Sequence, residues 1–269
     1  MGNENIGLEI AKETIKEVAA DVYEDAGRPI AKPTGELLGL VPRAIKAALS
    51  PLEKWIMQRE YNISETQKLL EQKLQNVRPE LIESPEPHIA VPAMQYICYC
   101  MDCDELRDMY ANLLANSMNK VVKNGVHPAF VEIIKQLSPD EAKILRFIYD
   151  NGLVPTIGLN IIKKTKTNLA FLKLFTDIPE LCGCEDIIGY EKHIDNLVRL
   201  GLVEIPDECL TDKNKYERLK KHPFIIKRKN ELESLDLVER VDFIEGCIHV
   251  TEFGNSFCSI CLNVIKKNI

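Results

Sequence analysis

EDIIGYEKHIDNLVRLGLVEIP (residues 185–206), answered further on by GCIHVTEFGNSFCSICLNVI (residues 246–265), decides how the second half of the chain folds. In the first stretch Ile194, Leu197, Val198 and Leu200 recur at helical spacing, which predicts a helix over Ile188–Leu200. Gly201 then stands where helices end on a left-handed residue, a conformation that costs glycine least. The apolar run Leu202–Ile205 predicts a short strand. The second stretch predicts a strand over Cys247–Val250 and a closing helix carrying Phe253, Phe257, Ile260, Cys261 and Val264. Helix, strand, long excursion, returning strand and closing helix is the order of a winged helix-turn-helix. The fold class expected is therefore mainly α: a helical N-terminal half, then an α+β winged helix-turn-helix-like domain at 138–269 with an insertion near 206–245.

Upstream, the helix signals are strong. Ser138-Pro139-Asp140-Glu141 and Ser50-Pro51-Leu52-Glu53 both read as capping boxes. In each, the serine hydroxyl can take a free first-turn amide, proline needs no donor, and the glutamate can reach back to the cap. Asp102 or Asp104 can start a helix running to Val122, with Leu106, Met109, Tyr110, Leu113, Leu114, Met118 and Val121 on its apolar face. Its opposite stripe holds Asp108, Asn112, Asn116 and Asn119. Asparagine competes with the helix for backbone hydrogen bonds, so three on one stripe need a reason. Either the stripe is solvated and makes some inter-helix bonds, or it is a contact face for a partner. Another helix is expected over Ser64–Val77, with Leu69, Leu70 and Leu74 inward. Residues 1–90 read as amphipathic helices broken by proline and glycine, and 91–137 as a further helical region. Within the first part, 4–25 carries seven acids against two lysines. Residues 36–57 have a broad apolar face that either packs in a core or lies on a membrane surface.

Composition narrows the class. With 269 residues, 45% hydrophobic and 28% charged, the chain can bury proper cores. No run approaches the ~20 apolar residues of a membrane span. The acidic start lacks the basic and apolar regions of an export signal, so a cytoplasmic location is expected. The nine cysteines then read as reduced thiols packed as small hydrophobes, with Cys182-Gly183-Cys184 the best pair for a metal but no second pair beside it. No phosphate-binding glycine loop, HExxH, nucleophile elbow or metal-nuclease carboxylate set is present in the sequence. No catalytic residue, cofactor or metal is therefore expected, and the chain reads as a non-enzyme.

Charge is the more informative feature. The formal net charge of −7 disfavours indiscriminate binding to polyanions. Yet KNKYERLKKHPFIIKRKN gathers Lys213, Lys215, Arg218, Lys220, Lys221, Lys227, Arg228 and Lys229 against one acid, Glu217. That is a local +7, with Tyr216 and Phe224 interleaved as candidate stacking surfaces. Such a cluster repels itself unless something negative meets it. The opposing charge is either within this chain, on a nucleic acid, or on an acidic protein or lipid headgroup. The helix over 188–200, which would enter a groove, is nearly neutral, as a sequence-reading helix usually is not.

ELRDMYANLLANSMNK (residues 105–120), HPAFVEIIKQLSPDEAKIL (127–145), HIDNLVRLGLVEI (193–205) and VTEFGNSFCSIC (250–261) together resemble the abortive-infection alpha family. The resemblance implies a bacterial protein of phage resistance and supplies no catalytic residues to carry over. Three readings follow. The first is a non-enzymatic interaction or sensor component of antiviral defence, engaging a protein partner, a neighbouring defence component or a second copy of itself. The second is a nucleic-acid-binding regulator using 213–229. The third is a membrane-perturbing effector acting through 36–57.

Overall fold

The protein is seen here as a computed structural model that describes Arg43, residues 60–100 and residues 103–263. The helices expected at 4–25 and 36–57, and the Ser50 cap, lie outside the described residues apart from Arg43. The helical first part comprises α1 (Glu60–Leu74), α2 (Pro87–Ile97), α3 (Asp104–Ser117), α4 (Ala129–Lys135) and α5 (Pro139–Asn151). The Ser138 box is formed: its Oγ accepts from the Glu141 amide at 3.2 Å, and Glu141 Oε2 accepts from the Ser138 amide at 2.7 Å. α3 stops earlier than expected. Cys103 occupies its N-cap without a side-chain bond, and the chain leaves the helix at Met118.

The second half corrects the mainly-α expectation. Ten α-helices and four strands occur among the described residues, so the architecture is mixed. After α5 come β1 (Val154–Lys163) and β2 (Asn168–Phe175), a hairpin the sequence reading left unassigned. Then follow α6 (Ile178–Leu181), α7 (Tyr190–Arg199), β3 (Val203–Glu204), α8 (Asn214–Lys220), α9 (Pro223–Glu233), β4 (Val238–Val250) and α10 (Glu252–Cys261). All pairings are antiparallel, in the order β2-β1-β4-β3. The strand expected at Cys247–Val250 is the end of a 13-residue β4. The insertion is no loose excursion, since it holds α8, α9 and the start of β4.

The turn read from Gly201 is present. Gly201 sits at φ +70°, its amide donates to Val198 O at 2.9 Å, and the Leu202 amide donates to Leu197 O at 3.0 Å. These two bonds satisfy carbonyls that the end of α7 would otherwise leave open. Thr251 fastens the next element to the same turn. Its hydroxyl donates to Gly201 O at 2.6 Å and accepts from the Gly254 amide at 2.8 Å. Gly254 must be glycine for a steric reason: a Cβ there would lie 2.0 Å from Leu202 O.

One buried apolar cluster runs from Leu70 on α1 to Leu262 beyond α10, so the helical part and the sheet part share a core. Phe130 on α4 meets Phe257 on α10 edge-to-face at 5.3 Å. A smaller cluster of Leu159, Ile161, Leu232, Val238 and Val241 holds α9 to the distal end of the sheet. No helix among the described residues is long and apolar enough to cross a membrane.

Candidate contact surfaces

The asparagine stripe of α3 turns inward. Asn112, Asn116 and Asn119 are buried, so they do not form the exposed partner face that was one reading of the stripe. The physical reason lies at the end of α10, where the last carbonyls of a helix have no partner within it. Asn112 Nδ2 donates to Cys261 O at 2.9 Å, and Asn116 Nδ2 donates to Ile260 O at 2.7 Å and Asn263 O at 2.8 Å. Arg146 of α5 donates to Leu262 O at 2.8 Å. Four consecutive carbonyls are thus met by side chains from two other helices. Asn119 serves locally, its Oδ1 accepting from the Val121 amide at 3.0 Å. Asp108 remains half-exposed and pairs with Lys73 at 3.0 Å.

The basic arm is largely answered from within the chain. Lys213 and Lys220 reach Glu245 of β4 at 2.6 and 2.8 Å, and these two bonds hold its carboxyl below the usual range. Arg218 grips Asp177 through Nε at 2.8 Å and a second guanidinium nitrogen at 2.9 Å. Lys221 pairs with Glu217, Arg228 with Glu231 and Lys229 with Glu233. Five carboxylates therefore face the eight bases, leaving Lys215 and Lys227 exposed without a carboxylate partner among the described residues. Exposed pairs of this kind add little stability, yet they lower the local field. Tyr216 is fully buried, donating to Gly246 O at 3.0 Å and accepting from the Leu210 amide at 2.7 Å, and so presents no stacking face. Phe224 is half-exposed but already stacked on Phe175, with ring centres 5.6 Å apart.

A second basic surface escaped the sequence reading. Between Asp150 and Asp177 there is no acidic residue, while Lys163, Lys164, Lys166 and Lys173 fall on the β1–β2 hairpin. Residues 164–171 are all exposed, and the Lys164 amide donates to Leu237 O at 3.1 Å, which holds the tip beside the loop that precedes β4. The turn is closed by the Lys163 amide on Thr167 O at 3.0 Å, with Lys166 left-handed at φ +63°. None of the four lysines has a carboxylate partner among the described residues. The nearby acids of β4 are turned elsewhere: Glu239 and Asp242 both lie against Arg240. Spread over two strands and a turn, these lysines make a weaker run in the sequence than 213–229 does. The signal that could have found them is the acid-free interval.

Catalytic-looking neighbours resolve into structural roles. His193 lies 3.4 Å from both Ser138 Oγ and Glu141 Oε1, but through the same nitrogen, Nδ1. A nucleophile-activating histidine uses one ring nitrogen for the nucleophile and the other for its orienting acid. Here the serine oxygen is also occupied as a helix cap, so His193 buttresses the box. Burial pushes the Cys258 thiol up to about 12 and raises that of Cys261 well above its ordinary value, which keeps both protonated and inert. Cys182 and Cys184 bring their sulfurs to 3.5 Å, and burial raises both thiols. No group of three or more histidine, cysteine or acidic side chains able to hold a metal occurs among the described residues. A cleft of about 340 Å³ between α3 and α5 is lined by Asp104, Glu105, Asp108, Lys143, Arg146 and Cys182, among others. Its bases are committed, Lys143 to Glu105, Asp140 and Gly183 O, and Arg146 to Leu262 O.

Comparison with known proteins adds one decisive likeness. The family model described as abortive infection alpha matches residues 58–261. No curated protein matches the chain. Among solved structures, an uncharacterized protein from the hydrocarbon-degrading marine bacterium Alcanivorax borkumensis SK2 is 16% identical, covering 50% of this chain and 92% of that one at a TM-score of 0.36.

Proposed function

Because the chain belongs to the abortive infection alpha family, we propose that it serves anti-phage defence as a contact module, engaging another macromolecule and not turning over a substrate. The observation that carries this reading is the β1–β2 hairpin: eight consecutive exposed residues with uncompensated lysines, on a body whose other basic cluster is largely neutralised internally. An isolated concentration of one charge raises the rate and the lifetime of encounters with the opposite charge. The second half is read here as a winged-helix variant. In support, α5, α7 and the β1-β4-β3 part of the sheet follow that element order, with β2 added outside β1. In this reading the geometry serves partner binding.

The test is phage challenge of cells expressing the full chain, scored by plating efficiency. Replacing Lys164, Lys166 and Lys173 with glutamate is expected to abolish protection while the variant accumulates to normal levels. Undiminished protection by that variant rules the contact reading out at this surface.

A further inference from the structure

We infer that Cys182 and Cys184 form a reversible dithiol–disulfide site, oxidised by exchange with a small-molecule disulfide that reaches Cys182 through the cleft between α3 and α5. This site is independent of the contact surface above. The two sulfurs stand 3.5 Å apart, so closing a bond of about 2.05 Å asks for about 1.5 Å of approach. The turn that brings them together is fixed from both sides. Gly183 between them takes φ +67°, a conformation that costs glycine least. The Cys182 amide donates to Ile178 O at 2.9 Å and the Cys184 amide to Pro179 O at 2.8 Å. From α5, Lys143 Nζ donates to Gly183 O at 3.2 Å, and the Asp140 carboxylate accepts from the Glu185 and Asp186 amides at 3.1 and 3.0 Å.

The two thiols differ in access, and access sets their roles. Cys182 is partly exposed and lines the cleft of about 340 Å³, whereas Cys184 is buried and its thiol donates to Asp140 O at 3.8 Å. Cys182 therefore attacks and Cys184 resolves. The Cys182 thiolate displaces one thiolate from the small disulfide, and the leaving group takes up the proton that Cys182 gave to solvent. The Cys184 thiolate then attacks the Cys182 sulfur of the mixed disulfide and displaces the second small thiolate, which is protonated in the same way. Two electrons and two protons pass to the small disulfide, which leaves as two thiols. Burial raises both cysteine thiols, and of the charges beside them Asp140 adds to that rise while Lys143 opposes it. Asp104, Glu105, Asp108 and Arg146 complete the charged lining of the cleft. Exchange is therefore slow at neutral pH and quickens as the thiolate forms. The second close pair, on α10, lacks this access: Cys258 and Cys261 are both buried and neither lines the cleft.

The experiment places the reduced full chain in a glutathione buffer with the disulfide in about tenfold excess over the thiol. The reaction is quenched, free thiols are blocked with N-ethylmaleimide, and the chain is digested with trypsin. The fragment 174–192 carries both cysteines and no other. By mass spectrometry it is expected to have lost two hydrogens and to carry no maleimide, and a reducing agent is expected to restore both thiols. The initial rate is expected to rise about tenfold per pH unit between about pH 6 and pH 8. Cys184→Ser is expected to hold glutathione on Cys182, and Cys182→Ser to capture at least about tenfold less on the buried Cys184. Cys258 and Cys261, on the fragment 241–266, are expected to stay reduced. The site is refuted if the wild-type fragment keeps both thiols or retains glutathione unresolved. Equal capture by the two variants, or a rate flat across that pH range, overturns the assigned roles. Oxidation of Cys258 and Cys261 to the same extent would show that the protein opens before it reacts, and the inference fails.

Discussion

Asn116→Ala is the perturbation whose cost the structure specifies most fully. The side chain is fully buried and donates to Ile260 O and Asn263 O, two of the carbonyls that end α10. Ile260 is buried, so its carbonyl loses its partner outright, whereas Asn263 is exposed and water can replace the bond. One buried unsatisfied carbonyl costs about 1–3 kcal/mol, and the small cavity adds about 1 kcal/mol. The expected loss is therefore about 2–4 kcal/mol, which lowers Tm by roughly 4–16 °C for a chain of this size. Asn112→Ala, with one bond to Cys261 O, is expected to cost about 1–3 kcal/mol. Asp108→Ala, on the same helix but half-exposed and paired with Lys73, is expected to cost under about 1 kcal/mol. Asn116→Asp separates the capping argument from simple packing. It keeps the volume but puts an anion against carbonyl oxygens at a helix C-terminus, so it should be worse than alanine at neutral pH. Burial raises the folded pKa of the introduced carboxyl, so acidification, by returning a donor proton, should recover part of the loss. Urea denaturation followed by circular dichroism and tryptophan fluorescence measures all four. The reasoning fails if Asn116→Ala and Asp108→Ala agree within about 0.5 kcal/mol.

Gly254→Ala forces a Cβ onto the Leu202 carbonyl, so the α10–turn junction must shift, and a destabilisation of about 1–3 kcal/mol is expected in the same assay. Glu245 has its folded pKa depressed by Lys213 and Lys220, so its contribution is present above the unfolded value of about 4.3 and is lost as pH falls through the folded one. Glu245→Gln should therefore flatten the stability profile of the protein between about pH 5 and pH 2, and an unchanged profile would show the ion pairs to be idle. Cys209 is exposed whereas Cys258 and Cys261 are buried with raised pKa values. A maleimide should therefore label Cys209 in the native protein and the other two only after denaturation, as read by mass spectrometry.

What could be read from the sequence was local. Ser138-Pro139-Asp140-Glu141 and Gly201 specify their own bonds within a few residues, and both formed as expected. The β1–β2 hairpin was hidden because β1 is buried on both faces from Thr156 to Leu159, which erases the alternation that marks a strand. The role of Asn112 and Asn116 was hidden for a different reason. Their partners lie 149 and 144 residues away, and polarity on a helix does not distinguish water from the carbonyls of another helix. The arm at 213–229 was conspicuous in one dimension, yet Glu245 and Asp177, which offset it, are outside the window in which its charge was counted. The lysines of the hairpin show the reverse, being modest in the sequence and uncompensated in space.

Site-specific photo-crosslinking in phage-infected cells tests the contact claim most directly. A photoreactive residue is placed at position 166 on the hairpin or, for comparison, at position 221 on the ion-paired arm. Illumination is predicted to yield a discrete macromolecular adduct from position 166, and little or none from position 221. No adduct from 166 in cells that resist the phage, or equal yields from the two positions, would contradict the account.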